Sequence, residues 1–251
     1  MNVEQVAQRL VEIWNSDYIN SLPSLIKERN YAFADNRQKD ILITGFNPSF
    51  REGESKDVKY GPSKKHWESE THDNYFSPIR KILCGNNIDL RTQADYLDIF
   101  YFREREQNFL HSELLSKPEG MQFVVDQLNL TMHIIEDIVK PKLIVVKNKE
   151  SWAYFGKYAQ EKGWVWMGYT FEPICSLPCG ELHKISGLVD STERIAPEIT
   201  QTGLVGTFVL FTKHINQYTK IEERPTPELL YHLLQWKVAE DFVRSQSITM
   251  L

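Results

Sequence analysis

Residues 41–50 read ILITGFNPSF. Four residues suited to a buried strand, Ile41 to Thr44, give way abruptly to Gly45-Phe46-Asn47-Pro48-Ser49. Gly, Asn, Pro and Ser each favour turns for a separate backbone reason, so the chain leaves the strand sharply. The exit places an amide, Asn47, and a hydroxyl, Ser49, at the strand's carboxyl end. Whether Asn47 is turn chemistry or reaction chemistry depends on the kind of sheet the strand joins.

The segments on either side decide that. Before the strand, Val3, Val6, Leu10, Val11 and Ile13 recur at helical spacing. A second helix is expected within INSLPSLIKERNYAF (19–33), with Pro23 near its start. After the strand, residues 50–73 are long, polar and charged, as a surface loop is. NYFSPIRKILCGNN (74–87) predicts a short helix, with Pro78 tolerated in the first turn and Gly85 at the stop. YLDIFYF (96–102) is a second strand, rich in aromatic and branched residues. EGMQFVVDQLNLTMHIIEDIVK (119–140) is a long helix ended by Pro141.

The third strand is PKLIVVKN (141–148), apolar over four consecutive positions, as a strand covered on both faces should be. KESWAYFGKYAQEKG (149–163) is read as a helix ending on Gly163. VWMGYTFEPICSLP (165–178) holds one or two short strands, residues 178–205 look irregular, and GTFVLFTKHIN (206–216) is a late strand. Thr226-Pro227, a cap then a proline, starts a last helix. Strands alternating with helices predict an α/β fold of three layers, with a parallel central sheet and helices on both faces. One domain is expected over 1–251, with its core at about 40–220 and extra helices at both ends. Ligands of such sheets bind beyond the carboxyl strand ends. GFNPSF (45–50) and TKHINQ (212–217) are therefore the stretches to inspect.

Composition narrows the classes. The 251 residues are 41% hydrophobic and 25% charged, enough for a sizeable core. No apolar run nears the ~20 residues that cross a bilayer, and the first residues lack the basic start and apolar centre of a signal peptide. Three cysteines make no disulfide framework, and a cytoplasmic protein is expected. The net charge of −5 argues against a wholly basic nucleic-acid-binding surface and leaves room only for a local basic patch.

GFNPS after the first strand, NYF before a helix and KHIN after a late strand follow one another in an order that resembles the uracil-DNA glycosylase superfamily. The first motif of its mismatch-specific and single-strand-selective branches reads like G-x-N-P-G, from which GFNPS departs only in the last residue. DNYFSPIRKIL looks like the mismatch-specific branch's N-R-F-W stretch, and IIEDIVKPKLIVVKNKESWAYFG is similar to its helix-strand-helix passage. The resemblance spans about residues 40–220. It implies a uracil-DNA-glycosylase-like fold and hydrolysis of the N-glycosidic bond to uracil or a related damaged base, with no cofactor and no metal.

An N-glycosidic bond breaks through a sugar cation, so a water must be placed and the departing base's charge stabilised. By resemblance Asn47 positions the water, accepting a hydrogen bond from it, and His214 donates to a base carbonyl. Phe76 would stack on the flipped base, with the backbone near Phe46 helping to form the pocket. Two departures matter. KHINQYT keeps His214 but lacks the Pro-Ser pair of the second motif, and no wedge for the duplex is recognisable. The asparagine that reads uracil's edge has no clear counterpart; Asp98 is the nearest polar residue, and an ionised carboxylate there would favour a base edge rich in N–H groups. The expected partner is DNA, single-stranded or mismatched rather than matched duplex. Ser49, Lys59, Lys64, Lys65 and Asn216 are the candidate nucleic-acid contacts, and a monomer that needs no membrane is expected. Two rivals stand beside this reading: a hydrolase of the same fold acting on a free nucleoside or nucleotide, and a non-catalytic relative that binds nucleic acid or protein.

Other constellations read more plainly. CSLPCGELH spaces Cys175, Cys179 and His183 regularly, but a structural zinc needs a fourth ligand, and buried structural cysteines are the simpler reading. Lys64-Lys65-His66-Trp67 joins cations to an aromatic, as single-strand binders do, and a solvated loop explains it equally well. The stripe IFYF (99–102) and Trp152, Trp164 and Trp166 are read as core.

Overall fold

The computed structural model describes residues 1–61, 73, 75–106 and 108–237. Its strands are β1 (Ala32–Ala34), β2 (Ile41–Gly45), β3 (Lys59–Gly61), β4 (Ala94–Asp98), β5 (Leu143–Val146), β6 (Tyr169–Leu177), β7 (Gly180–Leu188) and β8 (Phe208–Thr212). Six of them form a sheet in the order β4-β2-β5-β8-β7-β6, while β1 and β3 pair as a separate parallel ribbon. Strands β4, β2, β5 and β8 run parallel. β7 runs antiparallel to both β8 and β6. The sheet is therefore mixed, a correction to the wholly parallel sheet expected from the sequence.

The reason lies in residues 178–205, which looked irregular. Pro178-Cys179 is a two-residue connection between β6 and β7, and two-residue loops join antiparallel strands. β7 escapes a period-two reading because its burial does not alternate regularly and the hairpin carries register shifts. The parallel strands are different. Nearly every residue in β2, β4, β5 and β8 is buried, so each needs cover on two faces.

That cover comes from α1 (Val3–Trp14), α2 (Leu25–Arg29), α3 (Phe76–Leu83), α4 (Pro118–His133), α5 (Lys149–Tyr154), α6 (Ala159–Lys162) and α7 (227–237). Leu42, Ile144, Val146, Val209 and Phe211 share one core with Leu10 of α1 and Phe123 of α4. Their alternates Ile41, Ile43, Leu143, Val145, Phe208 and Leu210 share the other with Ile79 of α3 and Leu230 of α7. Asn2 starts α1 with a full capping box, and the Thr226 hydroxyl caps α7 at Leu229 N, 3.2 Å away. The long helix predicted over 119–140 continues past α4 as a wider π-helical turn, Ile134–Val139, and stops at left-handed Lys140. The helix expected over 149–163 breaks into α5 and α6 around Gly156, where a φ of 95° and the close backbone of Gly168 and Tyr169 exclude a side chain.

β4 stops at Asp98, earlier than YLDIFYF suggested. The Tyr101 and Phe102 amides donate instead to the Gln127 side chain of α4, which turns the aromatic stripe into the core. Trp152 is buried, but Trp164, expected in the core, is 48% exposed. Among the described residues no helix is long and apolar enough to cross a membrane.

Candidate functional site

The first parallel strand, β2, sits between the second, β4, and the third, β5, so the chain reverses its direction across the sheet there. Where strand order reverses, the connections diverge and leave a crevice at the carboxyl ends. Register shows what stands in it. Gly45 pairs with Asp98, and Thr44 with Val146, so Lys147 comes next opposite Gly45. In-register neighbours share a face, and Asp98 and Lys147 thus flank Gly45 on the side of Tyr96 and Ile43. A methyl group at Gly45 would overlap the Tyr96 hydroxyl and the Asp98 carboxylate. The glycine that looked like the start of a turn is what lets these polar groups fold over β2.

A cavity of about 480 Å³ opens here, lined by Asn47, Ser49, Asp98, Tyr75, Phe76 and Tyr96, and by Phe33, Lys59 and Tyr60 from the β1–β3 ribbon. Its size suits a nucleoside-sized ligand. The Asn47 Nδ2 donates to the carbonyl oxygens of Glu104 (2.6 Å), Pro48 (3.1 Å) and Phe102 (3.4 Å). Three acceptors on one side settle which end of the amide is nitrogen. Oδ1 is left as the acceptor that Asn47 offers the cavity.

The loop after the motif is pinned from beneath. The guanidinium groups of Arg29 and Arg103 lie 4.9 and 4.8 Å from the centroid of the Phe50 ring. Buried Arg103 donates to the carbonyls of Arg29, Ser55 and Asp57 and to the Glu54 carboxylate. This multidentate anchor holds the cavity wall on a fixed frame.

The electrostatics are unusual. Burial raises the Asp98 carboxyl to about 6, against the lowering effects of the Tyr96 hydroxyl, which donates to it at 2.6 Å, and of Lys147. Tyr96 in turn lies 2.6 Å from the Tyr75 hydroxyl, and burial and the Asp98 charge push both phenols upward. Lys147 is 1% exposed, and among the described residues its Nζ finds no hydrogen-bond acceptor. It rests 3.6 Å from the centroid of the Tyr75 ring. Burial lowers it to about 7, and the Asp98 charge offsets only part of that.

Of the candidates read from the sequence, Asn47, Ser49, Lys59, Phe76 and Asp98 line this cavity. Phe76 meets Tyr75 and Tyr96 edge to face at 5.0 and 5.3 Å. Lys59 is exposed and 3.9 Å from Glu54. The Phe46 ring turns away into the core, edge-on to Phe100, while its carbonyl accepts from Phe100 N. Asn216 accepts from the Tyr218 and Thr219 amides, closing its own turn. His214 follows β8, two strands from β2 or about 10 Å across the sheet, and is not part of the cavity lining. The residue is exposed, yet partial desolvation and the Lys147 charge lower its pKa. Lys64 and Lys65 lie outside the described residues.

Sequence reasoning missed Lys147, Tyr75 and Tyr96. The signal for Lys147 was present: a charged residue directly after four apolar strand residues, in the same relation to β5 as the GFN turn to β2. Among the described residues no three His, Cys, Asp or Glu side chains form a group that could hold a metal ion. Cys175 is exposed, Cys179 is buried, and the His183 Nε2 lies 3.3 Å from Glu181. No family model matches the chain, and no curated protein matches its sequence.

Proposed function

We propose that the chain hydrolyses an N-glycosidic bond, releasing uracil or a related damaged base from DNA, within an architecture of the uracil-DNA glycosylase kind. The observation that carries this reading is the Asn47 amide: its nitrogen is held by three carbonyls and its oxygen is left for a water at the cavity. An amide is too weak a base to drive direct attack, so it suits a water that meets a sugar cation already formed. Phe76, Tyr75, Phe33 and Tyr60 supply aromatic surface for a flat base. Asp98 accepts from an N–H on the base edge when ionised, and Lys147, in its protonated form, supplies positive charge on the β5 side as the base departs.

A free nucleoside is the second reading, and one observation favours it. Among the described residues the cavity lining sets Glu54, Asp73 and Asp98 against Arg51 and Lys59, so there no excess of cations marks a path for a phosphate chain. The same assay tests both. Single- and double-stranded uracil oligonucleotides and free deoxyuridine are incubated with the protein, and released base and abasic sites are scored. Base release from oligonucleotides supports the first reading, release from the nucleoside alone supports the second, and no release from any of them sinks both.

A further inference from the structure

We propose that Lys147 is a nucleophilic amine that captures an aldehyde, the ring-opened sugar left by base loss, as an imine. The choice of aldehyde rests on the N-glycosidic reading; the reactivity of the amine does not. Three features of position support it. Lys147 follows β5 at the strand-order reversal, in the same row as Gly45 and Asp98. Its Nζ is buried and, among the described residues, unpartnered, so no ion pair or hydrogen bond occupies its lone pair or its protons. Lys147 is not itself in the cavity lining, but its nitrogen lies 3.6 Å from the centroid of the Tyr75 ring, and Tyr75 lines the cavity. A desolvated lysine is partly neutral near pH 7, as an attacking amine must be.

The step balances with groups already present. The Nζ lone pair adds to the sugar's C1′, the C=O π electrons move to oxygen, and that oxygen takes a proton from the new ammonium. Asp98, on the other side of Gly45, is protonated below about pH 6 and gives its proton to the hydroxyl, which leaves as water while the nitrogen lone pair forms C=N. One aldehyde, one amine and one carboxylic acid give one protonated imine, one water and one carboxylate. Tyr96, bonded to Asp98, holds that carboxyl in place.

The test supplies the aldehyde ready-made. An oligonucleotide already carrying an abasic site is incubated with the full chain and sodium cyanoborohydride, which reduces an imine to a stable secondary amine, and the adduct is mapped by mass spectrometry of peptides. The expected result is an adduct on the peptide holding Lys147, reduced at least ~10-fold in Lys147→Met. Adducts confined to exposed lysines such as Lys59 and Lys213, adducts unchanged in Lys147→Met, or no adduct would overturn the proposal. Because wild-type mapping decides it, a variant that fails to fold does not. Uracil release without a Lys147 adduct would remove this inference alone; a Lys147 adduct without uracil release would keep it and remove the glycosidase reading.

Discussion

Two cavities open at opposite ends of the same strands. The larger, about 570 Å³, lies at the amino ends, against Pro141, Lys142 and Thr207. The smaller, about 480 Å³, lies at the carboxyl ends. In the larger, charges have partners. Glu136 accepts from the hydroxyls of Tyr169 and Thr202 and from Gly203 N, and Lys142 pairs with Asp40 at 3.0 Å in the open. At the smaller, Asp98 in the lining and Lys147 against the lining residue Tyr75 are both buried, both shifted toward neutrality, and joined by no direct ion pair. Volume would choose the first cavity. Unsatisfied chemistry chooses the second, because strained charges and open acceptors are what a ligand or a reaction can use.

The sharpest way to break that comparison is to disable one cavity at a time. Asn47→Ala is expected to slow base release by ~10²-fold or more, the scale for losing a preorganised polar group. Glu136→Gln, at the other cavity, is expected to leave the rate unchanged. Steady-state rates on a uracil oligonucleotide, with folding checked by circular dichroism, decide it. Equal rates for wild type and folded Asn47→Ala would return Asn47 to turn chemistry.

The second contrast is in stability against pH. Asp98 binds its proton more tightly folded than unfolded, so between about pH 4 and 6 the native state holds more protons and stability falls as pH rises. Lys147 binds its proton less tightly when folded, so stability falls again as pH drops from about 10.5 to about 7. Both costs are therefore present near pH 6–7. Lys147→Met should raise stability there by a few kcal/mol, the scale of a shift of several pH units, and should do so much less at pH 10. Urea denaturation of wild type and variant at pH 6.5 and pH 10 measures it. A gain that is the same at both pH values would mean that the lysine is not held against its charge.

How much of this was legible beforehand follows from where each signal lives. Helix caps and buried strands are local, so Thr226-Pro227 and LIVV announced themselves. Of the β6–β7 hairpin only β6, within 165–178, was legible; β7 was not, since it is half exposed and its irregular burial erases the alternation that marks a strand. At the site, Asn47 was visible through the turn that presents it. Lys147 showed a charge after four apolar residues but not its meaning, which comes from register: only when β2 is set between β4 and β5 does Gly45 open the space that Asp98 and Lys147 flank. His214 illustrates the reverse limit, since a strand-end position placed it on the right edge of the sheet but outside the cavity lining.

Gly45 gives a third, smaller contrast. Gly45→Ala is expected to cost about 1–3 kcal/mol, as overpacking does, and to displace the Asp98 carboxylate. Gly61→Ala, where an added Cβ meets nothing within 4 Å among the described residues, is expected to be near neutral. Thermal melts of the two variants compare them directly, and a neutral Gly45→Ala would show that the crowding over β2 relaxes without cost.

The smallest expected effect concerns how the carboxyl-end cavity meets a nucleic acid. Its described lining offers two cations, Arg51 and Lys59, and Lys59 is already within 3.9 Å of Glu54. Two phosphate contacts on a single strand give a log–log salt slope of about −1.5, and four, with Lys64 and Lys65 included, about −3. Lys59→Ala should flatten the slope by about 0.7 and leave the preference among bases intact, since a phosphate contact reads no sequence. Extruding a paired base costs a few kcal/mol and is easiest where pairing is already broken. The KHINQYT stretch that would carry a wedge closes its own turn through Asn216. Single strands and mismatches should therefore be bound and processed better than matched duplex. Titrating labelled single-stranded, mismatched and matched oligonucleotides at several salt concentrations measures both quantities. Tight binding to matched duplex with a slope steeper than about −5 would mean that a basic surface elsewhere on the chain, and not this cavity's rim, governs the encounter.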